Sequence, residues 1–245
     1  MKVLKFGIIC GLLTLFSGCS SDNPDDPFEP FNRTVFTFND TLDQYISKPV
    51  AKGYVAVVPA DGRSMITNFF NNLKEPLRAL NDLLQLNFDK AVDDMERMVA
   101  NTTIGVFGFF DFADEALNIP MRRQDMGMTF AYWTNNASTP FLMIPFSGPS
   151  NVRDFLGDIT TSNIVSLDQY QNIELGIQRS RNIMLGKRED GVFVVTNRYT
   201  ILNTVNTRAN ALKYEQLMLL QLDPYIAMKH AYENGRDQLF RELNS

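Results

Sequence analysis

From residue 31 onward, apolar side chains recur at helical spacing. Phe31, Val35, Phe38, Leu42 and Tyr45 form one stripe, with Arg33, Thr37, Asp40 and Gln44 off it. Ile66, Phe69, Phe70 and Leu73 begin a second run, which Leu77, Leu80 and Leu84 continue. Pro76 interrupts it, and proline belongs in the first turn of a helix rather than the interior. The pattern therefore predicts two helices, over 62–73 and 75–86. A third begins near Phe88 and carries Ala91, Met95, Met98 and Val99. The last opens on Asp223-Pro224, an N-cap followed by proline at N1, with Tyr225, Met228, Tyr232, Leu239 and Leu243 on one side. Helix is also predicted for 166–185 and 197–221. Residues 118–163 are less regular, with Pro120, Pro140, Pro145 and Pro149. Within them Phe141 to Phe146 reads as a short buried strand, and Val192 to Val195 fits either a short strand or the start of a helix. No internal repeat is present. The fold class is mainly α, with short irregular or strand-like segments.

The chain starts differently. Lys2 and Lys5 precede an eleven-residue apolar run, Phe6 to Phe16, and then Ser17-Gly18-Cys19. This is the layout of a secretory signal. The run is too short to cross ~30 Å of hydrocarbon, which takes about 20 residues. Leu15-Phe16-Ser17-Gly18-Cys19 resembles a bacterial lipobox, with Phe16 in place of the usual leucine. That resemblance makes Cys19 the first mature residue and the lipid-attachment site. Ser20 in place of aspartate implies sorting to the outer membrane of a Gram-negative envelope. Residues 20–30 hold three prolines and four acids, and read as a solvated tether. The expected organisation is a signal peptide (1–18), a lipidated N-terminus and tether (19–30), and a helical domain (31–245). Loss of residues 1–18 removes two lysines and no acid, taking net charge from −5 to −7.

An acidic chain argues against nucleic acid as a partner. His230 is the single histidine, and only Cys10 and Cys19 carry thiols. Cys10 leaves with the signal, so no disulfide forms within the mature chain, and histidine-rich zinc sites are excluded. Neither a phosphate-cradling glycine loop nor a nucleophile elbow occurs. No catalytic residue, metal or cofactor is expected. Asp93, Asp94 and Glu96 read as a solvated acidic face. Arg179, Arg181, Lys187 and Arg188 read as a solvated basic end, and His230 as a surface residue.

What the chain does have is phenylalanine, 19 in 245 residues. Phe107, Phe109, Phe110 and Phe112 lie in one run, Ile104 to Ala113, that is apolar on every side. Such a segment is buried or meets lipid. Gly105 and Gly108 permit close backbone approach and read as a hinge. Two readings stay open: a core hinge, or a surface that meets acyl chains. On the second, the candidate lipid contacts are Phe38, Phe69, Phe70, Phe109 and Phe112. Phe107 and Phe110, three apart, would share a face turned to the core.

Five motifs in order carry a family resemblance. Asp26-Pro27-Phe28-Glu29-Pro30-Phe31-Asn32-Arg33 resembles the opening signature of the MlaA/VacJ outer-membrane lipoproteins. Asn68-Phe69-Phe70-Asn71-Asn72-Leu73 with Glu75-Pro76 resembles their second motif. Asn101-Thr102-Thr103-Ile104-Gly105 with Gly108-Phe109-Phe110-Asp111 resembles the third. Pro140 to Pro145 with Gly148 and Arg153-Asp154 resembles the fourth. Asp223-Pro224-Tyr225 with Ala231-Tyr232 resembles the C-terminal one. The glycine-rich stretch usual between the third and fourth motifs is reduced to Met126-Gly127-Met128-Thr129. The resemblance implies a single compact ring-like helical domain within the inner leaflet of the outer membrane, associated with porin trimers. It implies transfer of misplaced phospholipids from the outer leaflet, through an amphipathic channel, to a periplasmic carrier protein. Membership implies no enzyme and maintenance of outer-membrane lipid asymmetry. The alternatives are a porin-associated structural lipoprotein and a lipid-hydrolysing one, for which His230 is the only general base of its kind.

Overall fold

The computed structural model describes residues 23–136, 138–164, 190–215 and 220–243. Cys19, the expected signal peptide, the 166–185 helix and the 179–188 basic cluster lie outside the described residues.

The order is helical nearly throughout. α1 (Glu29–Leu42) runs through a π-helical turn, Asp43–Ser47, into α2 (Lys48–Val57). α3 (Ala60–Asn72) and α4 (Glu75–Leu84) follow, with Pro76 in the first turn of α4, where its missing N–H costs nothing. α5 (Phe88–Thr103) folds back against α4, the most extensive helix pair among the described residues. α6 (Phe112–Leu117) and α7 (Met126–Thr134) come next. A two-stranded antiparallel sheet, β1 (Phe141–Ile144) and β2 (Gly148–Asn151), leads into α8 (Val152–Ile164). α9 (Asp190–Ala211) and α10 (Pro224–Leu243) complete the described chain.

The centre, read as irregular, holds two further helices, and the reason is capping. Asp125 accepts from the Met128 N–H at 2.9 Å to start α7, which ends on Asn135 in the left-handed region. The prolines fall in the links and in β2. Val192 to Val195 is helical, part of α9.

Among the described residues, one hydrophobic cluster forms a conventional core. Val35, Phe141, Met143 and Tyr225 are buried together, with Phe31, Phe36, Ile226, Met228 and Tyr232 packed against them. It joins α1, β1 and α10. The outer edge of β1 would be open, but α1 closes it. Asn32 accepts from the Met143 N–H at 2.8 Å and donates to the Phe141 carbonyl at 3.1 Å. One face further along, Asn39 donates to the Ile144 carbonyl at 2.9 Å and accepts from the Phe146 N–H at 2.8 Å. Two asparagines seven apart thus replace a neighbouring strand.

Candidate functional site

Between α4 and α5 the large buried side chains are polar. Glu75, Asn81, Asp82, Asp94 and Arg97 are buried, facing one another from α4 and α5. Arg97, at 1% exposure, is the hub: its Nε donates to Glu75 at 3.1 Å, and its Nη2 donates to both Asp111 oxygens at 2.9 and 3.0 Å. It also donates to the Ile119 carbonyl. Arg78 pairs with Glu75 at 2.8 Å. Thr129 of α7 donates to Asn81 at 2.8 Å and accepts from Gln85 at 2.9 Å. Arg122 pairs with Asp93 at 2.8 Å and Asp94 at 3.2 Å.

Asp82 and Asp94 face each other across the α4–α5 seam, where both Asp82 oxygens and one Asp94 oxygen are buried without a hydrogen-bond partner among the described residues, an arrangement that favours the protonated acids. Burial, then the neighbouring Asp82 carboxyl, push the Asp94 carboxyl up to about 7. The Asp94 position corrects the reading of Asp93, Asp94 and Glu96 as a solvated face: Asp93 is half-buried, Asp94 fully so, and of the three acids only Glu96 is exposed.

The apolar side of the same helices is outside. Leu83 and Leu84 of α4 and Phe88, Val92, Met95 and Val99 of α5 are exposed. The stripe continues past α5 through Ile104, Val106, Phe107 and Phe110. Periodicity located both faces but the polar one is turned in, the reverse of a water-soluble bundle. No described helix is long and apolar enough to cross a membrane.

Residues 104–110 are a loop rather than a helix. Val106, Phe107 and Gly108 all have positive φ, at 53°, 59° and 85°. A Cβ on Gly108 would lie 2.6 Å from that of Asn72. One on Gly105 would lie 2.3 Å from the Phe110 carbonyl oxygen. The loop base is clamped, with Asn101 donating to Asp111 at 2.9 Å and accepting from the Ala113 N–H at 2.9 Å.

This geometry reverses the expected pairing of the phenylalanines. Phe107 and Phe110 are 70% and 51% exposed, while Phe109 and Phe112 are half-buried. A helical face would have grouped Phe107 with Phe110 inward, but the left-handed turn carries both outward. Phe109 stacks on Phe69 at 5.3 Å, and Phe70, buried, meets Phe69 edge-on at 5.5 Å. Phe38 is exposed and packs edge-on against Phe146 at 5.2 Å. His230 is on the surface, as expected. Among the described residues, no group of three or more metal-ligating side chains converges.

α9 is held by polar contacts too. Tyr54 donates to Asn206 at 3.0 Å, Asn206 donates to Thr67 at 2.8 Å, and Arg208 grips Asp43 at 2.6 and 2.7 Å.

Residues 24–239 match the MlaA lipoprotein family. The chain belongs to that family. The Escherichia coli K12 protein named intermembrane phospholipid transport system lipoprotein MlaA is 30% identical over 241 residues, 91% of this chain and 84% of its own. A Rickettsia felis protein, named only as uncharacterized, is 31% identical over 215 residues, 86% of this chain and 76% of its own. A chain from the solved structure described as "Structural basis for maintenance of bacterial outer membrane lipid asymmetry" superposes with a TM-score of 0.69 at 28% identity. It covers 88% of this chain and 98% of that one. The mainly helical fold is thus the MlaA fold, and the motifs quoted from 26 to 232 fall inside the matched span.

Proposed function

We propose that this MlaA-family chain is an outer-membrane lipoprotein. It withdraws misplaced phospholipids from the outer leaflet, passes them along its polar interior to a periplasmic carrier and so maintains lipid asymmetry. The observation that carries the reading is the inverted hairpin. α4 and α5 bury Asp82, Asp94 and Arg97 and expose Leu83, Phe88, Val92 and Val99. In water such a surface would aggregate; against acyl chains it is the stable arrangement. α5 has 16 residues, so it reaches about 24 Å at 1.5 Å each and lies within a leaflet without spanning two. Acyl chains on Cys19 hold the ring-like domain there, and a porin trimer flanks it. A polar interior suits headgroups, while tails need apolar walls. Movement down a gradient needs no nucleotide and no catalytic group, so the chain is a conduit rather than an enzyme.

The test uses the exposed loop. Phe107→Asp and Phe110→Asp each place a charge against hydrocarbon, at a cost of roughly 2–4 kcal/mol in the leaflet. Both side chains have few neighbours, so the fold should survive in detergent. Cells carrying either variant should accumulate outer-leaflet phospholipid. Folded variants with a normal outer leaflet would contradict the proposal and favour a structural role beside the porin.

A further inference from the structure

A groove of about 930 Å³ runs along the outside of the α4–α5 hairpin. Its floor is made of small side chains, Ala79, Ala91 and Ala100, and its walls include Leu83 and Val99. A slot of this size, with apolar walls, suits a hydrocarbon chain. Glu96 is the only charged side chain that lines it. Arg122 holds Asp93 and Asp94 on the same helix, whereas no cation pairs with Glu96 among the described residues. A lone carboxylate on a surface facing acyl chains is costly unless a cation comes to it.

We propose that the groove binds an acyl chain of an aminophospholipid whose primary ammonium sits on the Glu96 carboxylate. Charge complementarity selects this occupant. A phospholipid whose head carries only negative charge would set phosphate against carboxylate with nothing to offset it. The site is on the outer face of the hairpin, apart from the polar interior. The inference rests on the leaflet placement above, and it adds a preference among lipids.

Trp133 is the chain's single tryptophan, and its indole N–H donates to the Leu84 carbonyl at 3.0 Å, beside the groove wall. Brominated acyl chains quench tryptophan by contact. The full lipoprotein is titrated in mixed micelles with dibromo-phosphatidylethanolamine and, separately, dibromo-phosphatidylglycerol. The ethanolamine lipid should reach half-quenching at a mole fraction about fivefold lower, the scale of one partly screened ion pair. Glu96→Gln is an exposed change that leaves the fold intact, and it should bring the two curves together. Equal quenching by both lipids in the natural protein, or a preference that survives Glu96→Gln, overturns the inference alone. Quenching by neither lipid overturns the leaflet placement with it.

Discussion

Asp82 and Asp94 show at the scale of single residues what the inverted arrangement demands. Asp94 faces Asp82 and Glu75 from α4 and Arg122 from the link before α7, and Lys90 and Asp93 act on Asp82. Burial leads the upward shift of both carboxyls. The sign follows from linkage. Between the ordinary value of 3.8 and about 7, the folded protein keeps a proton on Asp94 that the unfolded chain has released. Stability therefore falls as pH rises through that window and levels off above it. Asp94→Asn keeps a donor for Asp82 and removes the titration. Chemical unfolding in detergent should show the natural protein losing on the order of 2 kcal/mol between pH 5 and 8, and the variant losing much less. An unchanged slope in the variant would place the titration elsewhere. Nothing in the local sequence distinguishes Asp94 from Asp93, since both sit among acids on one helix. Only the partner Asp82, on another helix, does so.

At the scale of elements, the loop after α5 is held in a shape that its side chains resist. Val106 is β-branched and sits at φ 53°, where a Cβ costs roughly 1–2 kcal/mol. Val106→Gly should raise the unfolding free energy in detergent by about 1 kcal/mol, since the valine is exposed and has little packing to lose. Gly108→Ala should do the opposite, because the new methyl would meet Asn72 at 2.6 Å. Equal behaviour of the two variants would mean that the loop is not clamped. The elements themselves were largely legible. The spacing of Phe31 to Tyr45, the Pro76 break and the Asp223-Pro224 start each mark a helix that is present, and the strand expected over Phe141 to Phe146 is present over Phe141–Ile144, ending before the exposed Phe146. α7 and α8 were hidden because their signals are caps and close packing, not a stripe. The left-handed turn was hidden because valine and phenylalanine are residues that local rules keep out of it. What holds them is remote: Arg97 and Asn101 on α5 grip Asp111, and Asn72 on α3 fills the space against Gly108.

For the whole molecule, periodicity gives two faces to each helix and leaves open which one meets the solvent. The usual inference, apolar side inward, holds for α1 and α10, where Val35 and Tyr225 are buried. It fails for α4 and α5, where the buried side chains larger than alanine are Glu75, Arg78, Asn81, Asp82, Asp94, Arg97 and Asn101. Buried charges of this number persist only when they pair, and here Glu75, Arg97 and Asp111 form one chain of partners. The remaining question is what touches the outer face. Nitroxide labels at Val92 and Val99, in protein reconstituted with phospholipid, answer it through collision rates with oxygen and with a water-soluble nickel chelate. A label at Asp61, an exposed acid on α3, serves as the aqueous reference. Oxygen partitions into hydrocarbon and the chelate stays in water, so placement of the hairpin in a leaflet predicts high oxygen and low nickel access at 92 and 99, with the reverse at 61. Nickel access at 92 and 99 equal to that at 61 would contradict it.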